Sequence, residues 1–137
     1  MTDPNKLNTA ALAFIGDAVY EVYVRKHVLK TGSVHSDALH REAVRYVSAE
    51  GQARAIEALV KEGLTEDELK LVKRARNHKA SSSKRTKASH RGSDIMTDKW
   101  ATAFEALLGA LYLKEETARL EELIELSFDI IEGKQNE

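Results

Sequence analysis

Apolar residues recur every three or four positions along almost the whole chain, and no stretch alternates with the two-residue period of a half-buried strand. That period commits the chain to helices. Leu12, Ile15, Val19 and Val22 follow Asn8 and Thr9, either of which can cap, and they predict a helix over about 9–30 with Gly32 beyond its end. Ser36 can cap a second helix with Leu39, Ala43, Val44 and Val47 inward, and Glu50-Gly51 marks a break or bend. Ala53, Ile56, Leu59 and Val60 predict a third helix that stops at Gly63. Thr65 and Glu68 have capping-box spacing and open a fourth helix that runs to about Asn77. A fifth begins near Thr97 and carries Trp100, Phe104, Leu107, Leu108 and Leu111. A sixth, over about 115–132, turns Leu120, Leu123, Ile124, Ile130 and Ile131 inward, is acidic outside and ends at Gly133. One proline and seven glycines leave little turn chemistry for strands. The expected fold is all-α, a compact multi-helix domain spanning 1–137.

Composition closes off several classes. There is no cysteine, hence no disulfide framework and no thiolate metal site. No apolar run approaches the roughly 20 residues of a membrane span. MTDPNKLNTA at the start has no signal-peptide pattern, so a cytoplasmic protein without membrane association is expected.

Two acids interrupt otherwise apolar helices. In FIGDAVYEV, residues 14–22, seven of the nine side chains suit a buried helix, yet Asp17 sits among them beside Gly16. In AFEALLGALYL, residues 103–113, Glu105 lies among Phe104, Ala106, Leu107 and Leu108. A carboxylate in such a setting is costly unless it is solvated, paired or bound to a cation. If the two helices pack side by side, Asp17 and Glu105 can converge, and two converging carboxylates repel unless a proton or cation lies between them. Such ligands suit a hard ion such as Mg²⁺ or Mn²⁺. The other reading puts both acids on helix edges, paired with Lys or Arg. Glu21, one turn after Asp17 on the same face, is either a further metal-facing group or the partner of Arg25 four residues on.

The near-neutral net charge of −1 conceals an uneven distribution. Between Lys73 and Arg91 the chain carries basic residues and no acid, which leaves the remainder strongly acidic. Within it, HKASSSKRTKASHRGSD lacks apolar periodicity and reads as a flexible loop over about 78–96. A basic segment on an acidic body points to a polyanion such as nucleic acid. Arg74, Arg76, Lys79, Lys84, Arg85, Lys87 and Arg91 are the candidate contacts. Trp100, Phe104 and Tyr112 are expected in the core or at a dimer interface.

Taken together, the two acid-bearing blocks resemble the ribonuclease III catalytic domain. Leu12-Ala13-Phe14-Ile15-Gly16-Asp17-Ala18-Val19-Tyr20 is similar to that family's signature L-E-F-L-G-D-A/S-V/I-L. Thr102-Ala103-Phe104-Glu105-Ala106-Leu107-Leu108-Gly109-Ala110-Leu111-Tyr112-Leu113 resembles its later D-x-F-E-A-L-I/L-G-A-L/I/V-Y-L block. Of four family metal-site acids, Asp17 and Glu105 match two, while Ala13 and Thr102 stand at the others. That thinner acid set, the absence of a C-terminal double-stranded-RNA-binding domain, and the Tyr46–Ala53 and Lys73–Asn77 stretches resemble the compact bacterial Mini-III subfamily. The resemblance implies a ribonuclease III-like endonuclease domain. It implies a homodimer that cleaves double-stranded RNA with Mg²⁺ (Mn²⁺ able to substitute) at Asp17 and Glu105, in maturation of the 23S ribosomal RNA precursor, leaving 5′-phosphate and 3′-hydroxyl ends. Two rivals stand beside it. One is a non-catalytic RNA-binding or ribosome-associated protein on the same fold, with Ala13 and Thr102 as signs of a decayed site. The other is an all-helical nucleotide pyrophosphohydrolase, a class that wants a denser inward acid cluster than Glu121, Glu122 and Glu125 offer on what reads as a solvated helix.

Overall fold

A computed structural model describes residues 3–78 and 94–134. A 3₁₀ turn, Pro4–Lys6, leads into six helices: α1 (Thr9–Leu29), α2 (Ser36–Val47), α3 (Ala49–Lys61), α4 (Glu66–Arg76), α5 (Ile95–Leu113) and α6 (Thr117–Ile131). No strand occurs among the described residues, so the all-α expectation holds.

The architecture is organised around α5. Every residue from Ala101 to Leu111 on it is buried, the signature of a helix enclosed on all sides. Helices α1, α3, α4 and α6 pack against it, α1 most extensively. Tyr20 of α1 and Phe104 of α5 meet edge to face at 4.9 Å, with Phe128 of α6 closing the cluster. The outer helices are amphipathic covers, and their ends follow local chemistry. Asn8 caps α1 by accepting from the Ala11 N–H. Thr65 and Glu68 form a reciprocal capping box on α4. Asp94 caps α5 through the Thr97 N–H, so α5 starts at Ile95, earlier than the apolar period alone suggests, and Ile95 and Met96 are helical rather than part of a loop.

Three side-chain or backbone assignments differ from expectation. The cap position of α2 is occupied by His35 without a side-chain bond, and Ser36 is already helical. Gly51 breaks nothing: α3 starts at Ala49 with Ser48 as its cap, and Gly51 lies inside the helix. A Cβ on Gly51 would come within 2.4 Å of the Arg45 carbonyl oxygen, so the residue permits the tight α2–α3 corner. Phe14, Val22 and Val44, expected inward, are exposed, Phe14 by 82%. The burial stripe of α1 instead runs through Leu12, Ala13, Gly16, Val19, Tyr20, Val24 and Val28.

Two polar clamps tie the periphery together. Arg119 of α6 donates to both oxygens of Glu68 at 2.9 and 2.7 Å and to the Gly63 carbonyl at 2.7 Å, fastening α6 to the α3–α4 turn. At the end of α6, Glu132 accepts from Tyr46 at 2.6 Å, lies 2.7 Å from His27 Nε2, and pairs with Lys134 at 3.0 Å. Burial raises the Glu132 pKa, but these three partners outweigh it and bring the group from its ordinary 4.5 down to about 2.

Because the folded-state pKa of Glu132 is depressed, its stabilisation is complete above about pH 4.5 and is lost as pH falls toward 2. Thermal melts of wild type and Glu132→Gln should therefore differ most near neutral pH and converge on acidification; a gap that stays constant with pH would contradict the clamp. A second expectation concerns the α1–α5 contact. A Cβ on Gly16 would lie 1.8 Å from the Glu105 carbonyl oxygen, so Gly16→Ala should destabilise by about 1–3 kcal/mol or more. An unchanged melting temperature would mean that the helices do not approach so closely.

Candidate active site

Site construction begins with two glycines. Gly16 on α1 presses against the backbone of Glu105, and Gly109 on α5 presses against the Leu12 carbonyl, where a Cβ would fall 2.0 Å from the oxygen. Neither glycine is needed for its own dihedral angles, since both lie within regular helix. Each is there because its missing side chain lets one backbone rest on the other. The contact joins the two apolar helices at the positions that carry the acids. Asp17 follows Gly16 directly and Glu105 is the residue Gly16 touches.

The two carboxylates sit in unlike surroundings. Glu105 is 3% exposed within the most enclosed helix of the fold, whereas Asp17 lies on the exposed side of α1. One is held rigidly in the floor of the crossing and the other faces solvent, where a large substrate can reach it. The Tyr20 hydroxyl, buried and donating to the Tyr46 carbonyl at 3.0 Å, feels this charge. Burial first, then the neighbouring Tyr46, Glu105 and Glu21, raise its pKa far above the usual range, so the phenol stays protonated as a fixed donor.

At the other two family acid positions, Ala13 is buried and Thr102 is 3% exposed, its hydroxyl donating to the Asp98 carbonyl one turn back at 3.0 Å. Thr102 thus spends its proton within its own helix. Glu21 pairs with Arg25 at 3.2 Å, the plainer of the two readings for that residue. Among the described residues no group of three or more His, Asp or Glu side chains is arranged to hold a metal ion. Asp17 and Glu105 offer carboxylate oxygens without sulfur or imidazole, the donor chemistry that suits a hard divalent ion.

The acids of the pyrophosphohydrolase rival are dispersed. Glu121 accepts from Tyr23 at 2.7 Å, Glu122 pairs with Arg119 at 3.0 Å, and Glu125 lies on the exposed face of α6. They form no inward cluster, and that reading fails on geometry.

Of the basic candidates, Arg74 and Arg76 lie in the last turn of α4. Arg74 is exposed, while Arg76 is half-buried with its guanidinium 5.0 Å from the centre of the Trp100 ring. Lys79, Lys84, Arg85, Lys87 and Arg91 lie outside the described residues. The ends that flank them, Asn77-His78 and Asp94, adjoin α4 and α5, which pack against each other.

The fold is a small all-helical domain in which the two acid-bearing helices cross through glycines. Residues 10–116 match the Ribonuclease III domain model, and the chain belongs to that family; it is an endoribonuclease of the ribonuclease III type. It is 44% identical to the Mini-ribonuclease 3 of Brevibacillus brevis over 132 residues, covering 96% of this chain and 93% of that one. Its identity to the Mini-ribonuclease 3 of Streptococcus pneumoniae is 42% over 134 residues, covering 97% and 100%. A protein from Fusobacterium nucleatum, known from a crystal structure, superposes with a TM-score of 0.77 at 28% identity, covering 94% of this chain and 98% of that one.

Sequence reasoning did not assign the outward Phe14, the Arg76–Trp100 contact or the roles of the two glycines. The glycines carried a legible signal, since an isolated glycine inside an apolar helical period usually has a packing reason. Phe14 carried none, because an outward aromatic cannot be told from an inward one by residue type.

Exposed Asp17 contributes no packing, so Asp17→Asn should leave the melting temperature nearly unchanged, within the roughly 0.5 kcal/mol of an ordinary surface substitution. Glu105→Ala should lower it by opening a void in the most buried helix. Calorimetry of the two variants checks the contrast, and equal losses would show that Asp17 is not solvent-facing.

Proposed function

We propose that the protein cleaves double-stranded RNA with a divalent metal ion held by Asp17 and Glu105. The observation that supports this reading best is the glycine crossing, where the α1 residue preceding Asp17 rests on the backbone of Glu105. Mg²⁺, or Mn²⁺ in its place, would supply there a Lewis acid for the phosphodiester and a bound water of lowered pKa. The protein's own groups do the rest. Glu105, enclosed by α5 and its neighbours, keeps its carboxylate in one orientation without a reorganisation cost when substrate arrives. Asp17 offers its carboxylate from the solvent side, within reach of a duplex too wide to enter a closed cavity.

The substrate follows from charge and shape. A-form RNA is recognised mainly through phosphates and 2′-hydroxyls. Arg74 and Arg76, followed in sequence by Lys79, Lys84, Arg85, Lys87 and Arg91, supply the cations for that backbone. We also propose the 23S ribosomal RNA precursor as target, 5′-phosphate and 3′-hydroxyl ends, and action in the cytoplasm, as the resemblance to the Mini-III subfamily implies. No helix among the described residues is long and apolar enough to cross a membrane.

The working unit in this reading is a homodimer. Phe14, Val22 and Leu29 are exposed by 82, 58 and 55% along the outer side of α1. Beside them, Leu29 and Val44 line a groove of about 730 Å³ between α1 and α2. Such an apolar strip adjoining the acid site is the surface on which a second copy would seat, placing one metal site on each RNA strand.

Cleavage of a long RNA duplex should occur with wild type in Mg²⁺, vanish with EDTA and fall at least a hundredfold in Asp17→Asn, in the range seen on removing a transition-state charge stabiliser. Binding without cleavage in either Mg²⁺ or Mn²⁺ would instead favour the RNA-binding scaffold, with Ala13 and Thr102 as traces of a lost site. For the dimer, analytical ultracentrifugation should give twice the 15.3 kDa chain mass, and Phe14→Glu should return the monomer; a monomeric wild type would refute this assembly.

A further inference from the structure

The basic residues at the end of α4 are not equivalent. Lys73 and Arg74 are exposed, free to sample many rotamers. Arg76 is half-buried, lies over Trp100 at 5.0 Å from the ring centre, and donates from Nε to the Asn77 Oδ1 at 3.3 Å. Both contacts act on the guanidinium itself, so its plane and direction are set before any ligand arrives. The Trp100 ring that supports it is anchored on α5, packed against the hydrophobic core. Trp100 stands five residues before Glu105, about 7.5 Å along the helix axis. One rigid helix therefore carries both the buried carboxylate of the candidate site and the platform on which the arginine rests.

We propose that Trp100 is a positioning residue that aims Arg76 at an RNA phosphate, and that this pair sets the register of the duplex relative to Glu105. The inference rests on the duplex-RNA reading above and goes beyond it. A planar guanidinium matches a phosphate through two parallel hydrogen bonds, which a lysine ammonium cannot do. With the face on Trp100 and Nε donating to Asn77, the Nη1/Nη2 edge of the guanidinium is left for that contact. Holding the arginine in place beforehand removes part of the ordering cost that a mobile surface cation meets on binding. The remaining basic residues can then track the backbone without specifying where along it the protein sits. The competing reading is purely local: a cation in the last turn of α4 balances the negative end of the helix, and Trp100 merely covers its stem. The two readings differ in what RNA binding reports.

The test is a double-variant cycle on the full chain. Affinity for a short blunt RNA duplex is measured by fluorescence anisotropy in EDTA across a salt series, with a thermal melt of each variant. Arg76→Ala should weaken binding about three- to tenfold and reduce the log–log salt slope by about one phosphate contact. Trp100→Leu should weaken it by a similar factor. The double variant should bind within about twofold of Arg76→Ala alone, since independent sites would multiply instead. Trp100→Tyr, which keeps an aromatic face, should restore most of the affinity. Arg76→Lys, which keeps the charge but not the plane, should not. A multiplicative double variant, or a Trp100→Leu that melts lower but binds as wild type, would overturn the proposal and leave only the local role. If Trp100→Leu does not fold, Arg76→Lys decides alone, and wild-type affinity in that variant overturns the inference. Failure of wild type itself to bind duplex RNA would remove the RNA reading, and this inference with it; a wild type that binds while the cycle is multiplicative removes only the inference.

Discussion

Two helix backbones in this protein touch through glycines, Gly16 against Glu105 and Gly109 against Leu12, and most of the architecture follows from that contact. Helices usually stand 8–10 Å apart because side chains fill the space between them. Here α1 approaches α5 with no Cβ at the crossing, and the same backbone approach recurs on each partner. Close approach at this point lets Tyr20 reach Phe104 and Phe128, and the aromatic cluster extends the contact into the core. It also determines which side of α1 is left over. Once Leu12, Gly16, Val19 and Tyr20 face inward, Phe14, Asp17, Ala18 and Val22 must face outward. The exposed carboxylate and the exposed apolar strip are two consequences of one packing decision.

This arrangement reconciles the acids with the folded state. Asp17 avoids the cost of burial by lying on the solvent side of the crossing. Glu105 accepts burial within a helix that every neighbour surrounds, where a side chain has little freedom to drift. The periphery is secured independently. Arg119 and Glu132 act as polar clamps on α6.

Much of this was legible in the chain. The helical period located all six helices, and the caps at Asn8 and Thr65 were visible as residue types at the right spacing. Asp17 and Glu105 stood out because an acid inside an apolar period is a local contradiction, and such contradictions gather at functional sites. Other features were misread for a common reason. Phe14, Val22 and Val44 have the residue type of core positions, and type alone does not tell a buried apolar side chain from an exposed one. Gly51 has the residue type of a break, yet serves a corner where the Arg45 carbonyl comes too near for any side chain.

The sequence by itself determined the helical class, the ends of most helices, the oddity of the two acids and the concentration of positive charge between Lys73 and Arg91. These are properties of residues three or four positions apart, or of composition in a window, and physics at that range is written into the chain directly. Tertiary structure alone decided which face of α1 is buried, that Gly16 meets Glu105, that one acid is enclosed and the other open, and that Arg76 rests on Trp100. Each joins residues far apart in sequence, and the choice among them depends on how several helices fill one volume together, which no single helix's pattern contains.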